Sequence, residues 1–118
     1  MKRGTIIIDR NSVTIKGNVW QTDYEIAELF GVTMSAIHSN IKSTFKSGVL
    51  SQCDVYRYIH LENGNRADTY NMEMITALAF RLNSLPAKVF RDWILKKAVT
   101  PVRSHPPIVL QLKEGFQC

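Results

Sequence analysis

Between Thr22 and Lys46 the apolar positions form two short helical stripes separated by Gly31-Val32-Thr33. Ile26, Leu29 and Phe30 are spaced i, i+3, i+4, and Ile37, Ile41 and Phe45 recur every fourth residue, as one buried helix face requires. Thr22 and Thr33 stand where N-caps belong, since a threonine hydroxyl accepts from an unpaired N–H of the first turn. Ahead of these helices, the β-branched runs Thr5 to Ile8 and Val13 to Ile15 flank the turn residues Asp9-Arg10-Asn11-Ser12, which predicts an N-terminal hairpin. Val19-Trp20 then makes a short extended segment, with Trp20 read as a core plug beside the first helix. Beyond them, Val55 to Leu61 and Ala67 to Tyr70 flank Glu62-Asn63-Gly64-Asn65-Arg66, and Asn-Gly between strands signals a second hairpin. Met74, Ile75, Leu78, Ala79 and Leu82 follow Asn71 as one amphipathic stripe. Val89, Phe90, Trp93 and Ile94 follow Pro86 as another, making a helical hairpin through Asn83-Ser84-Leu85.

The spacing from Thr22 onward is that of a helix-turn-helix, the motif that carries its second helix into the major groove of DNA. Ala27 lies four residues before Gly31, and Gly31 takes positive φ at little cost, so the helices can turn sharply and approach closely. An ordinary αα-hairpin shares the apolar spacing; the short Gly31-Val32-Thr33 turn, the capped second helix and its small outer face favour the helix-turn-helix. A wheel places Ser35, Ala36, Ser39, Ser43 and Lys46 opposite the apolar stripe, and Asn40 and Lys42 flank that outward face. Asn40 stands where many such motifs carry an apolar residue, and Ile41 takes the inward role one step later. Thr33, Ser35, Ala36 and Ser39 are expected toward base edges, and Lys42, Ser43 and Lys46 toward phosphates. No acidic residue occurs between Glu28 and Asp54, so that face repels no polyanion. The second hairpin would serve as a wing, with Arg57 and Arg66 as backbone contacts; alternatively Tyr56, Tyr58 and Tyr70 only pack the sheet and both arginines are solvated.

These elements predict an α+β fold: a winged helix-turn-helix-like core with β-hairpins and a C-terminal helical hairpin. The expected domain spans 1–100, with the helix-turn-helix at 22–46, the wing at 54–71 and the helical hairpin at 72–98. Pro101, Pro106 and Pro107 predict an extended or loosely ordered tail over 101–118. A chain of 118 residues with 45% hydrophobic content suits one core and excludes a disordered or fibrous protein. Fifteen Lys and Arg against ten Asp and Glu give a formal charge of +5, which suits nucleic acid without demanding it. Cys53 and Cys118 make neither a disulfide framework nor a CxxC pair, and no apolar run reaches membrane-spanning length. A cytoplasmic setting with no membrane partner is expected.

Chemistry finds little footing. His38 lies near the inner edge of its helix, His60 in a strand and His105 in the tail, so no pair has metal-ligand spacing. The carboxylates are scattered, and no serine sits in an elbow or beside a base. Neither enzyme activity nor a metal or cofactor is expected. Arg81 and Arg91 sit on otherwise apolar helices; either they serve as a phosphate clamp or an interface pair, or, the favoured expectation, Arg81 caps a helix C-terminus and Arg91 pairs with a carboxylate such as Glu73.

The runs VWQTDYEIAELFGV, IKSTFKSGVL and ALAFRLNSLPAKVFRDWIL resemble the N-terminal domain of RhuM-type proteins over about Val19 to Lys97. Arg81-Leu82-Asn83-Ser84 with Ala87, Phe90-Arg91 and Trp93 is also similar to the end of Bro-N domains in viral and phage antirepressors. The resemblance implies DNA binding in a prophage or transposon context, with no established reaction. Asp23 stands where relatives usually carry a glutamine that commonly touches phosphate, so that contact is not carried over. The sequence after Ala98 lacks the family's helical continuation, which suggests a short member or a fragment. The expected function is sequence-specific binding of double-stranded DNA by a homodimer, whose half-sites would lie about one helical turn apart. The alternative is an antirepressor-like interaction module that offers a repressor-type partner the surface around Phe90, Arg91 and Trp93.

Overall fold

The N-terminal hairpin forms as its residues dictate: β1 (Thr5–Ile8) pairs antiparallel with β2 (Val13–Lys16), Ile8 opposite Val13. The computed structural model describes residues 3–98, and the expected tail at 101–118 lies outside the described residues. Asp9 N–H donates to Ser12 O at 2.8 Å to close the turn, and Ile6 and Val13 turn into the core. The element order continues with β3 (Trp20–Thr22), α1 (Asp23–Phe30), α2 (Met34–Ser47), α3 (Gln52–Val55), β4 (Tyr56–His60), β5 (Arg66–Asn71), α4 (Met72–Ala79) and α5 (Leu85–Ala98). The architecture is α+β, with two small antiparallel sheets and the helices gathered around one core.

The second sheet has strand order β3-β5-β4. Trp20 lies opposite Asn71 and Thr22 opposite Thr69, so the extended segment before α1 is a true strand, paired with residues about fifty positions later. Val55, expected in a strand, instead ends the single turn α3, which turns its side chain into the core with no exposed surface. Arg66, expected in the loop, is the first residue of β5, opposite His60. The connection tightens to Glu62-Asn63-Gly64. Gly64 N–H donates to Leu61 O at 2.9 Å, and Gly64 holds φ 87°, the left-handed residue that such a three-residue loop requires.

Ile26, Phe30, Ile37, Met74, Ile75, Leu78 and Phe90 are fully buried and join α1, α2, α4 and α5 into one core. Phe30 meets Phe90 edge-on, 5.7 Å between ring centroids. Asn71 caps α4, accepting from the N–H groups of Glu73 and Met74, and Ser84 accepts from Ala87 N–H at the start of α5. No helix among the described residues is long and apolar enough to cross a membrane.

Candidate nucleic-acid interface

Three short-range devices aim α2. Thr22 and Glu25 form a reciprocal capping box on α1: Thr22 Oγ1 accepts from Glu25 N–H at 3.1 Å and Glu25 Oε1 from Thr22 N–H at 2.8 Å. Arg3 pairs with the same Glu25 carboxylate and ties the chain's start to this corner. At the other end, Gly31 sits at φ 64°, ψ 40°, and Val32 N–H donates back to Ala27 O at 3.0 Å, the bond pattern of a helix ending on a left-handed residue. Thr33 Oγ1 then accepts from Ala36 N–H at 3.1 Å, so its oxygen is engaged as a cap.

Ile37 and Ile41 are buried as their spacing predicts, and Thr44 joins them with 1% of its surface exposed. The Thr44 hydroxyl donates to Asn40 O at 2.7 Å, which is how a polar side chain enters this face without an unmet bond. Ser35, Ser39, Lys42, Ser43 and Lys46 are exposed, as expected of the outward face. Ala36 and Asn40 depart from that expectation. Both are half-buried, Ala36 packing on the core and Asn40 Nδ2 donating to Ala36 O at 2.8 Å, because the helix flank they occupy leans toward the rest of the fold.

Both flanks of this face are occupied. On one, His38 Nε2 lies 2.6 Å from Asp23 Oδ2, and Phe45 packs against Tyr70 at 6.4 Å. The Asp23 carboxylate, read as a departure from a phosphate-contacting position, thus bonds a side chain of the next helix. On the other flank Arg81 Nη1 donates to Ser43 Oγ at 2.9 Å. The arginine assignments made from sequence are therefore corrected. Arg91, not Arg81, caps α4, donating from Nη1 to Ala79 O at 2.7 Å and Leu82 O at 2.6 Å, while Arg81 crosses to α2. Among the described residues neither Lys42, Lys46 nor Arg81 has a carboxylate within ion-pair distance.

The β4–β5 ribbon separates the two arginines that sequence treated alike. Strand pairing puts Tyr56, Tyr58, His60, Arg66, Asp68 and Tyr70 on one face and Arg57, Ile59, Ala67 and Thr69 on the other, because side chains alternate along a strand. Arg66 lies 3.9 Å above the Tyr58 ring, and the Tyr58 and His60 rings lie nearly perpendicular with centroids 5.8 Å apart. Tyr70 packs at a tilt on Tyr56, 5.8 Å between ring centroids, and on Phe45, so Arg66 shares the side that α2 covers. Arg57 lies 4.6 Å over Trp20 on the opposite face. The tyrosines do pack the sheet, and Tyr56 donates to Asp68 Oδ1 at 2.6 Å, a bond that raises the Tyr56 pKa. Burial, with Asp68 and Asp23 adding to it, pushes the Tyr70 phenol up to about 12.

Among the described residues no three His, Cys, Asp or Glu side chains are grouped to hold a metal ion. Comparison with protein-family models, curated proteins and solved structures found no match. Function therefore rests on the geometry of the chain itself. Of the residues expected to meet a protein partner, Phe90 is fully buried, while Arg91, bonded to two carbonyls, and Trp93, packed against the core, are half-buried. The apolar stripe of α5 meets the first hairpin and α1, a contact that no local pattern in the sequence announces.

Proposed function

We propose that the chain binds double-stranded DNA without chemistry, as a winged helix-turn-helix-like protein whose recognition helix is α2. The observation that carries this reading is the exposed face of α2, where Ser35, Ser39, Lys42, Ser43 and Lys46 meet solvent with no acidic residue on the helix and both lysines without an ion-pair partner among the described residues. Small hydroxyls permit close approach to base edges, and unpaired cations release counterions when they meet phosphate. The tight Gly31-Val32-Thr33 turn and the ribbon bearing Arg66 supply the remaining parts of the motif.

The resemblance to RhuM-type proteins points the same way, toward a cytoplasmic regulator of a prophage or mobile element. One recognition helix reads only a few base pairs, so a homodimer on two half-sites is part of the proposal. The test is fluorescence anisotropy on mixed-sequence duplex DNA across a salt series, beside a Lys42→Ala, Lys46→Ala variant. Loss of two phosphate contacts lowers the slope of log K against log salt by about 1.8. If the duplex is not bound at low salt, or the variant keeps the parent slope, the α1–α2 unit is scaffold and the partner is a protein.

A further inference from the structure

The α4–α5 turn carries a cation that the recognition-helix proposal does not use. Successive helical residues are about 100° apart, so Ser39 and Lys46 mark the centre line of the outward face while Lys42 and Ser43 lie roughly 50° to either side. Lys42 is on the flank of Phe45, Tyr70 and the His38–Asp23 pair. Ser43 is on the other flank, where Arg81 reaches it.

We infer that Ser43 and Arg81 form a clamp for a backbone phosphate on the flank of α2 opposite Lys42, so that α2 is held by phosphates from both walls of the major groove. The inference rests on α2 binding DNA and goes beyond it by adding a second element to the interface. The groove is about 12 Å wide, close to the diameter of a helix with its side chains, so cations on both flanks of such a helix face opposite walls.

The chemistry of the pair fits an anion. Ser43 Oγ accepts from Arg81 and has no other bond among the described residues, which leaves its O–H proton to donate. Arg81 uses one of its five N–H donors on Ser43, and the others remain for the planar, two-pronged grip that guanidinium makes on phosphate oxygens. Both groups are exposed.

The backbone under Arg81 is fixed before any ligand arrives. Arg91 holds the carbonyls of Ala79 and Leu82 on either side of it, Arg81 N–H donates to Leu78 O at 2.9 Å, and Leu82 is buried. A clamp built this way loses little freedom on binding. Arg91 acts here as a positioning residue and touches no ligand.

The experiment measures duplex binding across salt for the parent, Arg81→Ala, Arg81→Lys and Ser43→Ala, with circular dichroism to establish folding. The expected results are a salt slope lower by about 0.9 and affinity down about tenfold at low salt for Arg81→Ala. Arg81→Lys should keep the slope but bind more weakly, and Ser43→Ala should weaken binding without changing the slope. If Arg81→Ala lowers the unfolding midpoint yet keeps the parent slope, while Lys42→Ala, Lys46→Ala still reduces it, the arginine is a tether and the clamp is refuted alone. A parent that fails to bind duplex refutes both proposals.

Discussion

Gly31→Ala tests whether the turn before α2 is built as described, and its magnitude follows from two competing terms. Gly31 holds φ 64°, where a β-carbon crowds its own backbone at a cost of roughly 1–2 kcal/mol. The space around it adds nothing to that cost, since the nearest atom to an added β-carbon is Pro86 Cγ at 4.0 Å, an ordinary contact. Against it stands the smaller freedom of alanine in the unfolded chain, worth about 0.4–1 kcal/mol in favour of the variant. The net expectation is a loss of about 0.8 kcal/mol, within a span of roughly 0–1.6 kcal/mol. In urea, with a slope of about 1–3 kcal/mol per molar for a small protein, the midpoint falls by about 0.5 M with the slope unchanged. Gly31→Asn should lose less, because asparagine tolerates the left-handed region. Circular dichroism at the helix band reports both, and DNA affinity per folded molecule should change little. A loss beyond about 3 kcal/mol would mean that the β-carbon meets packed atoms, and a clear gain in stability would mean that the backbone is not left-handed; either result refutes the turn geometry.

Phe90→Ala should cost about 3–5 kcal/mol in chemical denaturation, since the ring is fully buried edge-on to Phe30; a cost under 1 kcal/mol would return that ring to the surface. Arg66→Ala should lower the salt slope of duplex binding by about 0.9 while Arg57→Ala leaves it unchanged and removes about 0.5–1 kcal/mol of stability, because only Arg66 shares a sheet face with the α2 contact. Equal slopes for both variants would defeat the assignment. Tyr70 makes stability pH-dependent in the alkaline range: the unfolded phenol releases its proton near 10 and the folded one near 12, so the native state holds more protons between these values. Its contribution is therefore complete below pH 10 and falls as pH rises toward 12, by roughly 1.4 kcal/mol per unit. Tyr70→Phe should flatten that decline, and an unchanged decline would show that another group governs it.

Much of the local structure was legible because its causes lie within a few residues. Thr22, Thr33 and Asn71 cap the helices at which they were placed, Gly31 is left-handed, and Ile37 and Ile41 are buried where a repeat of four puts them. Val55 escaped because a β-branched residue before a tyrosine-rich strand looks like part of it; only the core beneath draws it into a helical turn. Ala36 and Asn40 escaped because a wheel gives an angle without saying how far neighbouring elements cover the helix flank.

The sequence by itself determined the starts of α1, α2 and α4, the stop at Gly31, the two hairpins and the acid-free face of α2, since capping, i+4 spacing and turn residues act over one or two turns of chain. Tertiary structure alone decided the pairing of β3 with β5, the division of Arg57 from Arg66, and the partners of Arg81 and Arg91. Each of these depends on which distant carbonyl, ring or hydroxyl lies within hydrogen-bond or stacking distance. Such proximity is fixed by how all the elements settle on one core, and a long, flexible cation such as arginine takes whichever acceptor that settling brings near.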